Sequence, residues 1–102
     1  MFADIRGFTT LTEASDPATL IEMLNRYFRL ASSVVVAHGG MVNKYGGDSI
    51  LAVFGTPLNP ADDHAERAFA AAVDLPDALG RFNADQLSRG EPQIEIDRKS
   101  VV

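Results

Sequence analysis

The sequence has no cysteine. Without thiols the chain can form neither a disulfide framework nor a cysteine-rich zinc site. This absence suits a reducing compartment, and we expect a cytoplasmic location. The remaining composition is ordinary for a soluble globular protein, with 46% hydrophobic and 23% charged residues. A length of 102 residues corresponds to one domain or a piece of one.

The sequence also lacks an excess of basic charge and any long apolar run. Nine basic residues against 14 acidic ones give a formal net charge of -5, which argues against a nucleic-acid partner, since such proteins normally present a basic face. A polyanionic substrate would need metal ions or a local basic pocket to offset this charge. No apolar stretch approaches the roughly 18 residues of a membrane span, and residues 1–4 do not start a signal peptide. We therefore expect membrane attachment only through sequence outside this chain.

Two helices are indicated by capping residues and apolar spacing. Asp16 can cap the first, Pro17 suits its first position, and residues 39–40, both glycine, can end it. Its apolar stripe recurs at three- and four-residue steps and comprises Leu20, Leu24, Tyr27, Phe28, Ala31 and Val35. The second helix is predicted to begin near Pro60 or Ala61 and to be kinked or split at Pro76.

Short apolar segments between these helices predict strands. They lie at residues 1–3, ending at Asp4, and at residues 41–44, 49–54 and 93–96. Residues 45–48 form a tight hairpin connection, and a break falls at residues 90–92. The order predicts an α+β fold, a ferredoxin-like (palm-type) antiparallel sheet with helices on one face, and we expect it to be incomplete.

Residues 2–9 (FADIRGFT) place Asp4 at the end of an apolar strand, before a glycine and a helix start. A carboxylate in this position can bind Mg²⁺, and free N–H groups at the helix start can face anionic oxygens. The simpler alternative is that Asp4 caps a turn.

Residues 43–55 (NKYGGDSILAVFG) place Asp48 at a glycine-rich hairpin tip. Asp is common in turns, so it could be an ordinary hairpin residue. If both strands belong to one sheet, however, the carboxylates of Asp4 and Asp48 can lie side by side although they are 44 positions apart (48 minus 4). Two close carboxylates repel unless a cation or a shared proton lies between them. The pair therefore predicts a metal site.

Residues 2–9 together with residues 44–49 (KYGGDS) resemble the class III adenylate/guanylate cyclase catalytic domain. Residues 50–55 and 63–68 also look like bacterial members of that family. The similarity extends from Phe2 to about Ile96, so residues 1–96 are expected to be the N-terminal part of such a domain.

The resemblance implies roles for particular residues. Asp4 and Asp48 match the two metal-binding aspartates, and Ile5 would give a backbone carbonyl to the metal. The implied cofactors are two Mg²⁺ or Mn²⁺ ions. One ion would lower the pKa of the ribose 3′-hydroxyl, which attacks the α-phosphorus, and the other would steady the triphosphate and the pyrophosphate that leaves.

The substrate contacts are implied in the same way. The backbone N–H groups of Gly7, Phe8 and Thr9 would face the triphosphate. Lys44 matches the base-selecting position, where lysine goes with adenine and glutamate with guanine. Lysine can donate to adenine ring nitrogens but cannot accept from a guanine N–H, so ATP is the expected substrate. The alternative for Lys44 is an exposed strand lysine.

In the family, a further residue that contacts the base and an asparagine and an arginine that stabilise the transition state lie later in the domain. The similarity of this sequence to the family ends before that region. Family active sites form at a dimer interface, so we expect a homodimer or another cyclase-domain partner. Residues 97–102 (DRKSVV) are what a common sequencing adapter gives when translated, and we expect a non-native tail, against the alternative of a genuine charged terminus. We expect this chain alone to be inactive.

Two other functions fit parts of the pattern. A diguanylate cyclase of the GGDEF family has a similar hairpin, but there Gly-Gly-Asp is followed by Glu-Phe, whereas Ser49 and Ile50 follow here. A non-catalytic regulatory or dimerisation module is the other possibility, and the presence of Asp4, Asp48 and Lys44 argues against it.

Overall fold

The computed structural model describes residues 1–54 and 64–99. At residues 44, 45, 64 and 97–99 it describes the backbone and not the side chain. Within these ranges the chain forms four strands and three helices: β1 (Phe2–Ile5), α1 (Phe8–Ala14), α2 (Pro17–Ala37), β2 (Met41–Gly46), β3 (Ser49–Val53), α3 (His64–Ser88) and β4 (Ile96–Lys99).

The strands form one sheet in the order β2-β3-β1-β4, with antiparallel pairing throughout. Strand β1 lies in the middle, where Asp4 is opposite Ser49 of β3 and Ile5 is opposite Ile96 of β4. This strand order, with a helical connection after β1 and another after β3, is the ferredoxin-like arrangement. The predicted α+β fold is therefore confirmed.

The helices cover one face of the sheet. Alternation along the central strands buries Ala3, Ile5 and Ile50 on this face. Helix α2 contributes Tyr27, Ala31 and Val35 to the same core, and α3 contributes Ala71, Leu75 and Leu79. Alternation turns Phe2 and Asp4 toward the opposite face, where both are only half-buried. None of the helices in residues 1–54 and 64–99 is long and apolar enough to cross a membrane.

Local signals fix both ends of α2 as predicted. The Asp16 carboxylate accepts a hydrogen bond from the Thr19 amide at 3.2 Å, and Pro17 occupies the first turn. The helix ends at Ala37 with His38 as its C-cap, and Gly39 follows with a φ of 76°. Glycine adopts this left-handed conformation without the steric cost that other residues have.

Of the two predicted effects of Pro76, a kink or a split, the split is wrong, because α3 runs unbroken from His64 to Ser88. The kink stays a prediction. Proline removes one helical hydrogen bond, but Leu75 and Leu79 on either side are buried in the same core. Packing therefore holds the two halves of the helix together. The predicted start near residues 60–61 lies outside the described residues.

Residues 97–99, which were expected to belong to the tail, pair with β1 as part of the last strand. This strand begins later than predicted, at Ile96 rather than at residue 93. The side-chain amide of Asn83 explains the difference. Its nitrogen donates to the Ile94 carbonyl and its oxygen accepts from the Ile94 amide, both at 2.8 Å. Because both backbone polar groups of Ile94 bond to α3, they are not available for pairing in the sheet.

Arg26 connects α2 to the far end of α3. One of its Nη atoms donates to Asp85 at 3.2 Å, and the other donates to Glu91 at 2.9 Å and to Gln86. Its guanidinium also lies over the Phe82 ring, 5.4 Å from the centroid. These contacts join residues about 60 positions apart and help to position the two helices that support the sheet.

Candidate functional site

Asp4 and Asp48 lie on neighbouring strands of the sheet. Asp4 is paired with Ser49, the residue that follows Asp48. The Ile5 amide donates to the Asp48 carbonyl at 3.2 Å, so the backbone of residue 48 is bonded to the residue that follows Asp4. Both aspartates are half-buried. The structure thus brings the two predicted metal ligands to one place at the end of β1.

The hairpin that carries Asp48 is a two-residue turn. Gly46 and Ser49 are paired, and residues 47–48 connect them. The Ser49 hydroxyl donates to the Gly46 carbonyl at 2.8 Å and braces the turn. Gly47 has a φ of 54°, which a side chain would strain. Apart from its two neighbours in the chain, no described residue has an atom within 4 Å of where its Cβ would be, so the space beside Gly47 is open.

A second glycine turn follows β1. Gly7 has a φ of 68° and precedes α1, whose N-cap has no side-chain hydrogen bond. The Leu11 amide donates to the Gly7 carbonyl at 3.1 Å, which closes the first helical turn. The amides of Phe8 and Thr9 belong to this first turn, where N–H groups have no acceptor within the helix. Space beside Gly7 is open as well, since no described residue other than its two chain neighbours has an atom within 4 Å of an added Cβ.

One buried hydroxyl in the core below the sheet is affected by the charges of the two aspartates. Tyr27 of α2 is fully buried, and its hydroxyl has no hydrogen-bond partner among the described residues. Burial raises the pKa of Tyr27, and the negative charges of Asp4 and Asp48 raise this pKa further. An unpaired buried hydroxyl costs about 1–3 kcal/mol. The apolar stripe of α2 predicted a core position for Tyr27, which is confirmed, but the stripe gave no sign of the unpaired hydroxyl.

The groups at the end of β1 fit a hard divalent cation. Two carboxylates and a backbone carbonyl are oxygen ligands of the kind that Mg²⁺ and Mn²⁺ prefer. The described residues contain no group of three or more His, Cys, Asp or Glu side chains arranged for a metal. Any ion held by Asp4 and Asp48 would therefore need ligands from the Ile5 carbonyl, from water or from a substrate.

Lys44, which is predicted to select the base, is described only in part. The backbone of Lys44 lies in β2 opposite Leu51, just after an irregularity between Val42 and Lys44. Its side chain lies outside what the structure describes, so its role stays a prediction. His38 is the C-cap of α2, and its Nε2 lies 2.6 Å from a carboxylate oxygen of Asp74 in α3.

Comparison with known proteins identifies the same family that the sequence motifs resemble. The family described as "Adenylate and Guanylate cyclase catalytic domain" matches residues 1–96. "Adenylate cyclase 1" of Rhizobium meliloti (strain 1021) is 40% identical over 95 residues, which cover 92% of this chain and 14% of that protein. The chain thus spans a small part of this relative's length.

Solved structures agree with the sequence match. The guanylyl cyclase Cya2 superposes with a TM-score of 0.87 at 35% identity, covering 93% of this chain and 48% of that one. The adenylyl cyclase CyaB from P. aeruginosa superposes with a TM-score of 0.82 at 27% identity, covering 93% and 50%. The chain therefore spans about half of each solved structure.

Proposed function

Because the chain belongs to the adenylate and guanylate cyclase catalytic domain family, we propose that it is part of an adenylate cyclase that converts ATP to 3′,5′-cyclic AMP and pyrophosphate. The observation that carries this proposal is the placement of Asp4 and Asp48 on adjacent strands, where the Ile5 amide bonds to the Asp48 carbonyl. The product would serve intracellular signalling in the cytoplasm.

In this proposal Asp4, Asp48 and the Ile5 carbonyl hold two Mg²⁺ or Mn²⁺ ions. Bound divalent cations supply Lewis-acid chemistry, which makes the ribose 3′-hydroxyl a better nucleophile and offsets the charge of the triphosphate. The two carboxylates hold these ions where negative charge develops. Cations are also needed on electrostatic grounds, since a chain of net charge -5 would otherwise repel ATP.

The turn after β1 binds the triphosphate in this proposal. The backbone N–H groups of Gly7, Phe8 and Thr9 donate to phosphate oxygens. The positive φ of Gly7 and the open space beside it support this role, because a phosphate can come close to the backbone there. No acidic side chain lies in the first turn of α1 to compete for these groups.

A complete site needs groups that this chain does not carry. We propose that the chain works in a homodimer, or with another cyclase domain, which supplies the further base contact and the transition-state groups. Within a complete domain, residues 1–96 form the part that holds the metal and the triphosphate. Residues 97–102 are proposed to be a non-native tail, of which the backbone of residues 97–99 pairs with β1 in this chain.

Removal of either metal ligand tests the proposal. In a complete cyclase domain that contains this segment, Asp4→Ala and Asp48→Ala should each lower cyclic AMP formation at least about 1,000-fold, because each leaves the cations with half of their carboxylate ligands. Asp77→Ala is the control, since Asp77 is exposed on α3. Product is measured with Mn²⁺ and ATP. Undiminished activity of either variant would reject the two-metal assignment.

Lys44 provides the test of base selection. Lys44→Glu replaces a group that can only donate with one that can only accept, so preference should shift from ATP toward GTP. We expect the ratio of kcat/KM for ATP to that for GTP to fall at least about tenfold, as for the loss of one good hydrogen bond. The measurement compares both nucleotides at the same Mn²⁺ concentration. An unchanged ratio would remove Lys44 from the base site.

A further inference from the structure

One side of α3 carries a row of exposed apolar residues. Phe69, Val73 and Leu87 are 67%, 49% and 66% exposed. Val73 is about one turn after Phe69, and Leu87 is 18 positions after Phe69 (87 minus 69), which is five full turns of an α-helix. Pro76 and Gly80 lie in the same row between them. Single exposed apolar residues are ordinary, but a row of them on one helix face is typical of an interaction surface.

This outer row is not part of the contact between α3 and α2. That contact involves Asp74, which lies 2.6 Å from His38, and Asp85, which accepts from Arg26 at 3.2 Å. Asp74 is five positions after Phe69, which corresponds to a rotation of about 140° around the helix. The outer row therefore faces away from α2.

The outer row borders the segment that leads into β4. The Asn83 side chain bonds to both backbone groups of Ile94 at 2.8 Å, and a groove of about 300 Å³ lies between α3 and this segment. Pro76 and Gly80 line the groove from the helix, and Ile94 and Ile96 line it from the other side. Among the strands that the structure describes, β4 ends the sheet here, with β1 as its one neighbour. An apolar row, a groove and a strand edge thus lie on one flank of the molecule.

The remaining half of the catalytic domain is the occupant that fits this flank. The chain covers 48% of the guanylyl cyclase Cya2 and 50% of the adenylyl cyclase CyaB, so a complete domain of this family contains about as much chain again. Burial of large apolar side chains favours a segment that covers them, and a strand edge favours a segment that pairs with it or shields it. A segment of the same protein is also tethered nearby, which raises its local concentration above that of a separate partner.

We propose that the outer row of α3 is the surface on which the remaining half of the catalytic domain packs, with an apolar face of that half covering Phe69, Val73 and Leu87. The inference rests on membership of the family and not on the metal assignment, so the failure of one leaves the other standing. In this proposal α3 has two working sides, one that packs on the sheet and α2 and one that joins the two halves of the domain.

Thiol labelling tests this surface, because the chain has no cysteine of its own. Phe69→Cys and Leu87→Cys place single thiols in the outer row. Arg81→Cys is the matched control, since Arg81 is exposed on the same helix about 120° away from both positions. Each variant is made in this chain and in a complete cyclase domain that contains it. Reaction with iodoacetamide is followed by peptide mass spectrometry, at low and at high protein concentration.

We expect the thiols at positions 69 and 87 to react at least about tenfold more slowly in the complete domain than in this chain, because a packed side chain reacts only when the local structure opens. This protection should be the same at both protein concentrations, and the thiol at position 81 should react equally in both proteins. In a second measurement, Phe69→Ser should lower the Tm of the complete domain and should not lower the Tm of this chain, where the side chain lies in water.

The other outcomes are equally definite. Equal labelling of Phe69→Cys and Leu87→Cys in the two proteins would show that the second half packs elsewhere, and protection that appears only at high concentration would assign the row to a second copy. Either result overturns the proposal, as does equal slowing of Arg81→Cys. If Phe69→Cys unfolds the complete domain and leaves this chain folded, the side chain matters only where the second half is present, which supports the proposal.

Discussion

Arg26 and Tyr27 are neighbours in α2, yet their polar groups have opposite surroundings. Both Nη atoms of Arg26 are bonded to side chains of α3 or of the residues that follow it, although its Nε is buried with no partner in the part of the chain that the structure describes. The Tyr27 hydroxyl, buried on the sheet side, has no partner among the described residues. The first group serves the contact between two helices. The second makes no hydrogen bond within the described residues, and its ring only fills the core.

The largest effect should come from breaking the contact of Arg26. Arg26→Ala should lower the free energy of unfolding by about 3 kcal/mol, because it leaves the fully buried Gln86 and the half-buried Glu91 without their charged partner. Urea unfolding of the full chain measures this loss.

Arg89→Ala is the matched control for Arg26. Arg89 bonds to the same Asp85 at 3.0 Å, but this pair lies on the surface, with side chains 47% and 52% exposed. Its removal should cost less than about 0.5 kcal/mol. Equal losses from the two arginine variants would show that the Arg26 network does not stabilise the helix pair.

A smaller effect should appear for Tyr27 at high pH. Its pKa is raised in the folded chain, so above about pH 10 the unfolded state loses a proton that the folded state keeps. Stability must therefore fall as pH rises, by at most about 1.4 kcal/mol per pH unit. Tyr27→Phe should lack this contribution. Urea unfolding between about pH 9 and pH 11 compares the two chains, and equal losses would show that the hydroxyl is not in a special environment.

Features set by neighbouring residues could be predicted from the sequence. The start of α2 depends on Asp16, Pro17 and Thr19, which lie within one helical turn. The hairpin was predicted from its glycines, and the structure narrows it to a two-residue turn with Gly47 at positive φ. Local chemistry decides these features, so a short segment contains the needed information.

Features set by distant contacts could not be predicted. The position of β4 depends on Asn83, whose amide binds both backbone groups of Ile94, 11 positions away. The continuity of α3 through Pro76 depends on core packing that the local sequence does not contain. The motifs around Asp4 and Asp48 identified the acids, but no sequence signal distinguished the Tyr27 hydroxyl from an ordinary core tyrosine.

The central claim is that Asp4 and Asp48 share divalent cations, and the position of a bound ion tests it most directly. Crystals of a complete cyclase domain containing this segment, grown with Mn²⁺ and a non-hydrolysable ATP analogue, would locate the metal by anomalous scattering. We predict a Mn²⁺ peak in contact with a carboxylate oxygen of each aspartate. A Mn²⁺ ion that binds the nucleotide without contacting both carboxylates would contradict the account.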